Sequence, residues 1–113
     1  MHLLGELGTG KTTLVRGACR ALGVAVAVTS PTFAIAHRYP AAGGLRVAHL
    51  DLYRLEHPEQ EDPDLLADYL ASDTIAFVEW PRADVPGMPA PRLTVVLSHL
   101  GGERRLIEWG APA

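Results

Sequence analysis

A chain of 113 residues that is 48% hydrophobic and 20% charged can build one compact core, and its length leaves room for no more than one domain. Ten lysines plus arginines against thirteen acids give a formal net charge of -3, which excludes the global basic field that holds a nucleic-acid backbone directly. The opening residues lack a signal-peptide pattern, no apolar run approaches the ~18–20 residues of a membrane span, and the only cysteine, Cys19, has no internal disulfide partner, so a reducing cytoplasm is the expected compartment.

Following Gly5, Gly8 and Gly10, apolar residues recur at helical spacing from Lys11 to Leu22. Leu14, Ala18 and Leu22 form one ridge, Val15 and Cys19 lie beside it, and Gly23 closes the helix in the left-handed region. The unbroken run Val24 to Val28 predicts a short strand covered on both faces of a parallel sheet and ended by Ser30-Pro31-Thr32. Alternation from Phe33 to Tyr39, the turn Ala41-Ala42-Gly43-Gly44 and a second run from Leu45 to Leu50 predict a hairpin. Leu65, Leu66, Tyr69 and Leu70 predict a second amphipathic helix beginning near Asp64, with the acidic run Glu59 to Asp64 as its solvated approach.

Ile75-Ala76-Phe77-Val78 reads as a buried strand that delivers Glu79 at its C-terminal end. Pro81, Pro86, Pro89 and Pro91 then impose a long loop, and two final strands, near Arg92 to Ser98 and Arg104 to Trp109, pair across Gly101-Gly102. Together these elements predict an α/β fold of the P-loop type, in which a mostly parallel sheet has flanking helices and antiparallel additions from the hairpin and the C-terminal strands, as a single domain over residues 1–113.

The chemistry concentrates in Gly5-Glu6-Leu7-Gly8-Thr9-Gly10-Lys11-Thr12, which satisfies the Walker A pattern GxxxxGK[ST]. In that pattern successive backbone N–H groups wrap phosphates at a helix N-terminus carrying partial positive charge, and glycines let the main chain approach and turn. Gly8, Thr9 and Gly10 are thus candidate phosphate contacts. Lys11 is the cation for the β- and γ-phosphates, Thr12 offers a hydroxyl to Mg2+, and Thr13 reaches toward the α-phosphate. Lys11 is the only lysine in the chain, and arginine serves at every other basic position, so the single exception falls where a compact point charge is needed.

Hydrolysis in such a site also calls for a carboxylate at the end of a neighbouring strand, and two qualify: Asp51 after Val47-Ala48-His49-Leu50, and Glu79 after the run ending at Val78. Spacing does not choose between them, and either can be a solvent-facing strand-end acid. Thr32, at the loop after the Val/Ala run, is a candidate sensor of the γ-phosphate or its metal, the alternative being an ordinary loop with a proline stop. Arg54 either neutralises charge on the transferred phosphoryl group or pairs with Glu56 or Asp51. Trp80 walls the nucleotide site, faces a partner or packs in the core. His37, His49, His57 and His99 lack metal-ligand spacing and read as surface or strand residues.

Four segments in order, GELGTGKTT at Gly5 to Thr13, SPTF at Ser30 to Phe33, HLDLYRL at His49 to Leu55 and VEWP at Val78 to Pro81, resemble the bacterial ATPase family called TsaE. The resemblance implies a cytoplasmic protein that binds ATP with Mg2+ and hydrolyses it slowly. It would do so while bound to the complex that attaches threonylcarbamoyl to adenosine 37 of tRNAs reading codons that begin with A, resetting the transferase subunits and meeting tRNA only through them, with no membrane partner. Carried over by position, Lys11 and Thr12 hold phosphate and metal, Thr32 belongs to a switch-like loop, Asp51 and Glu79 serve metal and hydrolytic water, and Trp80 lies beside the nucleotide. Tyr53 and Arg54 belong to a motif whose separate roles stay open.

Two departures stand out. Family members carry a further helix and strand ahead of the phosphate loop, whereas four residues precede Gly5 here, so the resemblance implies a chain shortened at its start. The approach to the second helix, Glu59 to Leu65, also departs from the family pattern, and no partner-contact role transfers to it. The competing readings are a nucleotide-binding regulatory subunit or fragment that does not hydrolyse, and a small-molecule kinase.

Overall fold

A computed structural model describes residues 1–6, 8–26, 28, 36–53, 69–70, 73–81, 88 and 90–111. Its elements are β1 (His2–Leu4), α1 (Lys11–Ala21), β2 (Ala36–Pro40), a 3-10 turn (Ala42–Gly44), β3 (Arg46–Asp51), β4 (Thr74–Glu79), β5 (Thr94–His99) and β6 (Arg105–Gly110). The described strands form a six-stranded sheet in the order β2-β3-β4-β1-β5-β6. β1 runs parallel to β4 on one side and β5 on the other, and β3 runs parallel to β4. The two edges are antiparallel additions, β2 on β3 and β6 on β5. The predicted α/β architecture, with its hairpin and C-terminal additions, is the one observed.

Burial explains the order. Parallel strands covered on both faces read as continuous apolar runs, and Val47 through Leu50 of β3 are all buried, as are Phe77, Val78 and Glu79 at the end of β4. β6, with Arg105 and Glu108 among its residues, is exposed throughout and lies at an edge. On one face, Val15 and Cys19 of α1 pack with Leu3, Tyr39, Val47, Phe77, Val95 and Leu97. On the other, Ala36, Ala48, Leu50, Leu52 and Val78 gather against the partly buried Tyr69, Leu70, Ala76 and Met88. Side chains alternate along a strand, so His49 and Asp51 share the α1 face with Val47, and Glu79 shares it with Phe77.

α1 buries Lys11, Val15 and Cys19, residues four apart, so the stripe facing the sheet is this one. Leu14, Ala18 and Leu22, expected as one ridge with Val15 and Cys19 beside it, are partly buried along its flank. Gly23, at φ 85°, ends the helix with the paired bonds of a Schellman cap, its N–H donating to Arg20 O (3.2 Å) and that of Val24 to Cys19 O (3.0 Å). A Cβ at Gly23 would sit 2.7 Å from the Ala42 Cβ, because the helix end docks on the hairpin turn, where Ala42 N–H donates to Leu22 O (3.0 Å).

One expected element is absent among the described residues. The described residues from Val24 to Val28 are not a strand: Val24 and Val28 pack against the core as irregular chain, and Val26 is 53% exposed. The physical reason is pairing, since β2 occupies the free edge of β3 and β4 is paired on both sides, so no edge beside them remains. The hairpin forms as expected from Ala36 onward, while Phe33 to Ile35, Ser30-Pro31-Thr32, the acidic run and the second helix as far as residue 68 lie outside the described residues. Among the described residues no helix is long and apolar enough to cross a membrane.

Candidate functional site

The loop between β1 and α1 begins with a close approach. Gly5 has φ 148°, and a Cβ there would fall 2.5 Å from the Leu97 carbonyl oxygen and 2.8 Å from Thr9 Oγ1, so only glycine lets the chain pass β5. Thr9, 2% exposed, donates its hydroxyl to Glu6 O (2.8 Å) and pins the turn from inside. Gly10 is the N-cap of α1 at φ 101°, with no side-chain cap bond and no acid in the first turn. The first helical N–H groups thus have no side-chain cap, and Gly10 to Thr13 line a cavity where the helix dipole favours an anion.

Lys11 opens the helix and is 5% exposed. Its Nζ donates to the carbonyl oxygens of Gly5 and of Glu6 (3.0 Å for the latter), and it lies 4.2 Å from the centre of the Trp80 ring. Burial pulls the Lys11 pKa below the ordinary lysine value, opposed by the charges of Glu79 and then Asp51. The ammonium is thus held by two carbonyls, an aromatic face and the field of two carboxylates, all at the mouth of the phosphate loop.

The acids arrive from the sheet. β3 and β4 end level with each other, which pairs Asp51 with Glu79 across the ladder. Thr12 donates its hydroxyl to Glu79, 3.2 Å from Oε2 and 3.4 Å from Oε1, and His49 Nε2 is hydrogen-bonded to the same Oε2. Asp51 instead accepts the Tyr53 N–H through Oδ1 (3.0 Å). Trp80 follows Glu79 with φ 54°, the only described non-glycine residue in the left-handed region, which turns its indole back over Lys11. Tyr53 stacks on that indole with ring centres 4.8 Å apart.

These groups enclose a cavity of about 330 Å³, lined by Gly8 through Thr13 on one side and by Asp51, Glu79 and Trp80 on the other. The structure therefore brings together every residue expected at the site except Thr32 and Arg54, which lie outside the described residues. His49, read from the sequence as a surface or strand residue, lies on strand β3 and is wholly buried beneath Glu79. The signal that would have found it is parity, because His49 and Asp51 must face the same way along β3.

Among the described residues no three His, Cys, Asp or Glu side chains cluster as an all-protein metal cage. One hydroxyl and two carboxylates instead fit Mg2+, which keeps several waters and takes one or two carboxylates together with phosphate oxygens. Thr12 and Glu79 lie within hydrogen-bonding distance, so one small hard cation can be reached by both.

A central parallel strand, a glycine loop, a helix with a bare N-terminus and two strand-end acids define the P-loop class of α/β proteins. The family model described as Threonylcarbamoyl adenosine biosynthesis protein TsaE matches residues 1–109. The tRNA threonylcarbamoyladenosine biosynthesis protein TsaE of Streptomyces coelicolor is 44% identical over 102 residues, covering 89% of this chain and 69% of that protein. The protein of the same name from Bacillus subtilis is 37% identical over 112 residues, covering 98% and 68%. The crystal structure of Bacillus subtilis YdiB superposes with a TM-score of 0.69 at 29% identity, covering 97% of this chain and 66% of that one. The chain belongs to the TsaE family, and it spans about two thirds of the length of these relatives.

Proposed function

We propose that this chain is an ATPase subunit that takes Mg-ATP at the loop from Gly8 to Thr13 and hydrolyses it slowly, in the service of threonylcarbamoyl formation on adenosine 37 of tRNA. The observation that carries the nucleotide part is the convergence of Lys11, Thr12 and Glu79 on one cavity at the bare N-terminus of α1. The tRNA-modification part is supported by family membership and by the names of the relatives. Its partners on this reading are the protein subunits of the transferase complex, with tRNA met only through them, in the cytoplasm.

In this scheme Lys11 exchanges its carbonyl partners for the β- and γ-phosphates, and Thr13 meets the α-phosphate. Thr12 and Glu79 hold Mg2+, with Asp51 beside them, and the bound cation supplies neutralisation of charge on the phosphoryl oxygens. Trp80 covers the ammonium and keeps bulk water from it, and Tyr53 lies against the Trp80 ring. Thr32 belongs to the loop that senses the γ-phosphate.

The test is calorimetry with Mg-ATP beside a phosphate-release assay, with and without the transferase subunits. The wild-type chain should bind and turn over slowly, with a rise on adding the subunits. A charge-assisted contact contributes about 1.5–3 kcal/mol, so Lys11→Ala should weaken Mg-ATP binding by roughly 10- to 100-fold and abolish release. Undiminished turnover in that variant would falsify the scheme, and tight binding without any release would favour the non-hydrolysing subunit.

A further inference from the structure

His49 ties the interior of the sheet to the candidate site. Its side chain is fully buried on β3, its Nε2 is hydrogen-bonded to Glu79 Oε2, and that carboxylate accepts the Thr12 hydroxyl on its other side. Three side chains from β3, β4 and the first turn of α1 are thereby joined in one row. Glu79 is itself 3% exposed, so the cost of burying its charge must be met by donors, and among the described residues Thr12 and His49 are the two side chains that donate to it. Both lie nearer Oε2, which leaves Oε1 the less engaged oxygen in the cavity.

The far side of the imidazole decides its tautomer. His49 Nδ1 is buried and has no hydrogen-bond partner among the described residues. A proton on Nδ1 would be a donor with nothing to receive it, whereas a proton on Nε2 points at a carboxylate. The proton therefore sits on Nε2, and Nδ1 keeps a bare lone pair.

We infer that His49 is the positioning residue of Glu79: its Nε2–H fixes the carboxylate against Thr12 so that the two present a preformed site to a hard cation. This rests on the proposed Mg-nucleotide reading of the cavity. The physical basis is general, since a ligating carboxylate is itself oriented by hydrogen bonds, and loss of such support weakens metal affinity about 10- to 100-fold. His49 is not among the residues that line the cavity, and it reaches the site through Glu79.

Two measurements on the full chain test this. The first is a long-range 1H–15N spectrum of the nucleotide-free protein, which should show the Nε2-protonated tautomer with a downfield ring proton that moves in Glu79→Gln. The second is calorimetry with ADP at varied Mg2+, with EDTA as the metal-free reference, comparing His49→Leu, which keeps volume but no donor, with His49→Gln, whose amide can donate from nearly the same place. The leucine variant should need about tenfold more Mg2+ for half-saturation while its affinity in EDTA stays near wild type, and glutamine should restore most of the difference. An Nδ1-protonated tautomer, or a folded leucine variant with wild-type Mg2+ dependence, overturns the inference. Should the leucine variant not fold, the glutamine variant and the tautomer still decide. A wild-type chain that takes up no Mg-nucleotide refutes the proposed function and the positioning role together, whereas an Nδ1–H tautomer beside normal Mg-nucleotide uptake refutes the positioning role alone.

Discussion

Replacing Gly5 by alanine would set a Cβ 2.5 Å from the Leu97 carbonyl oxygen and 2.8 Å from Thr9 Oγ1, at a backbone angle of φ 148°. The angle alone costs an L-residue about 1–3 kcal/mol. The overlap adds roughly 1–3 kcal/mol more, because the oxygen it meets is backbone of β5, whose shift would disturb the pairing of β1 with β5. Gly8→Ala is the control: its φ of 75° carries a cost of about 1–2 kcal/mol, but nothing lies within 4 Å of the added carbon. The two variants should therefore differ by about 2 kcal/mol, which at a slope of roughly 1–3 kcal/mol/M separates their urea midpoints by about 1 M. Circular dichroism against urea reads this directly. Coincident midpoints would mean that the close approach of loop and β5 does not constrain the fold, and the account of Gly5 would be withdrawn.

Because Glu79 bonds Thr12 while Asp51 turns to the Tyr53 N–H, Glu79→Gln should reduce Mg-ATP affinity and phosphate release more than Asp51→Asn does; the reverse ranking in calorimetry would reassign the main carboxylate. Trp80 covers Lys11, so in a Trp109→Phe background its emission should change when Mg-ATP draws the ammonium to phosphate, and an unaltered spectrum at saturation would contradict the exchange of partners. Burial raises the Cys19 thiol above its ordinary value of 9.0, so the native thiol should react with a disulfide reagent far more slowly than after unfolding in urea. The folded state resists thiolate formation, so this group's contribution to stability is present below about pH 9 and declines as pH rises above it. Denaturation at pH 7 and pH 10 measures that slope, and Cys19→Ala should lose the part due to the thiol.

The phosphate loop, the helix behind it and the left-handed glycine that ends it were legible in the amino-acid order because each depends on neighbours a few residues away. The same holds for the strand delivering Glu79 and for the closing hairpin, where a buried apolar run or a Gly-Gly turn carries its own local signal. Val24 to Val28 was not legible, since β-propensity is local but a strand exists only where a partner pairs with it, and here β2 takes the place beside β3. The apolar side of the helix was legible as well, but not which of its two neighbouring rows lies deepest: the sheet buries Lys11, Val15 and Cys19, while Leu14, Ala18 and Leu22 pack beside them. Which acid meets Thr12, and that His49 lies beneath it, followed only from the register of β3 on β4, a pairing between segments about thirty residues apart. Residue types and spacing determined that this chain carries a Walker A loop; long-range strand register, which is set by the burial of whole faces at once, decided which side chains stand around it.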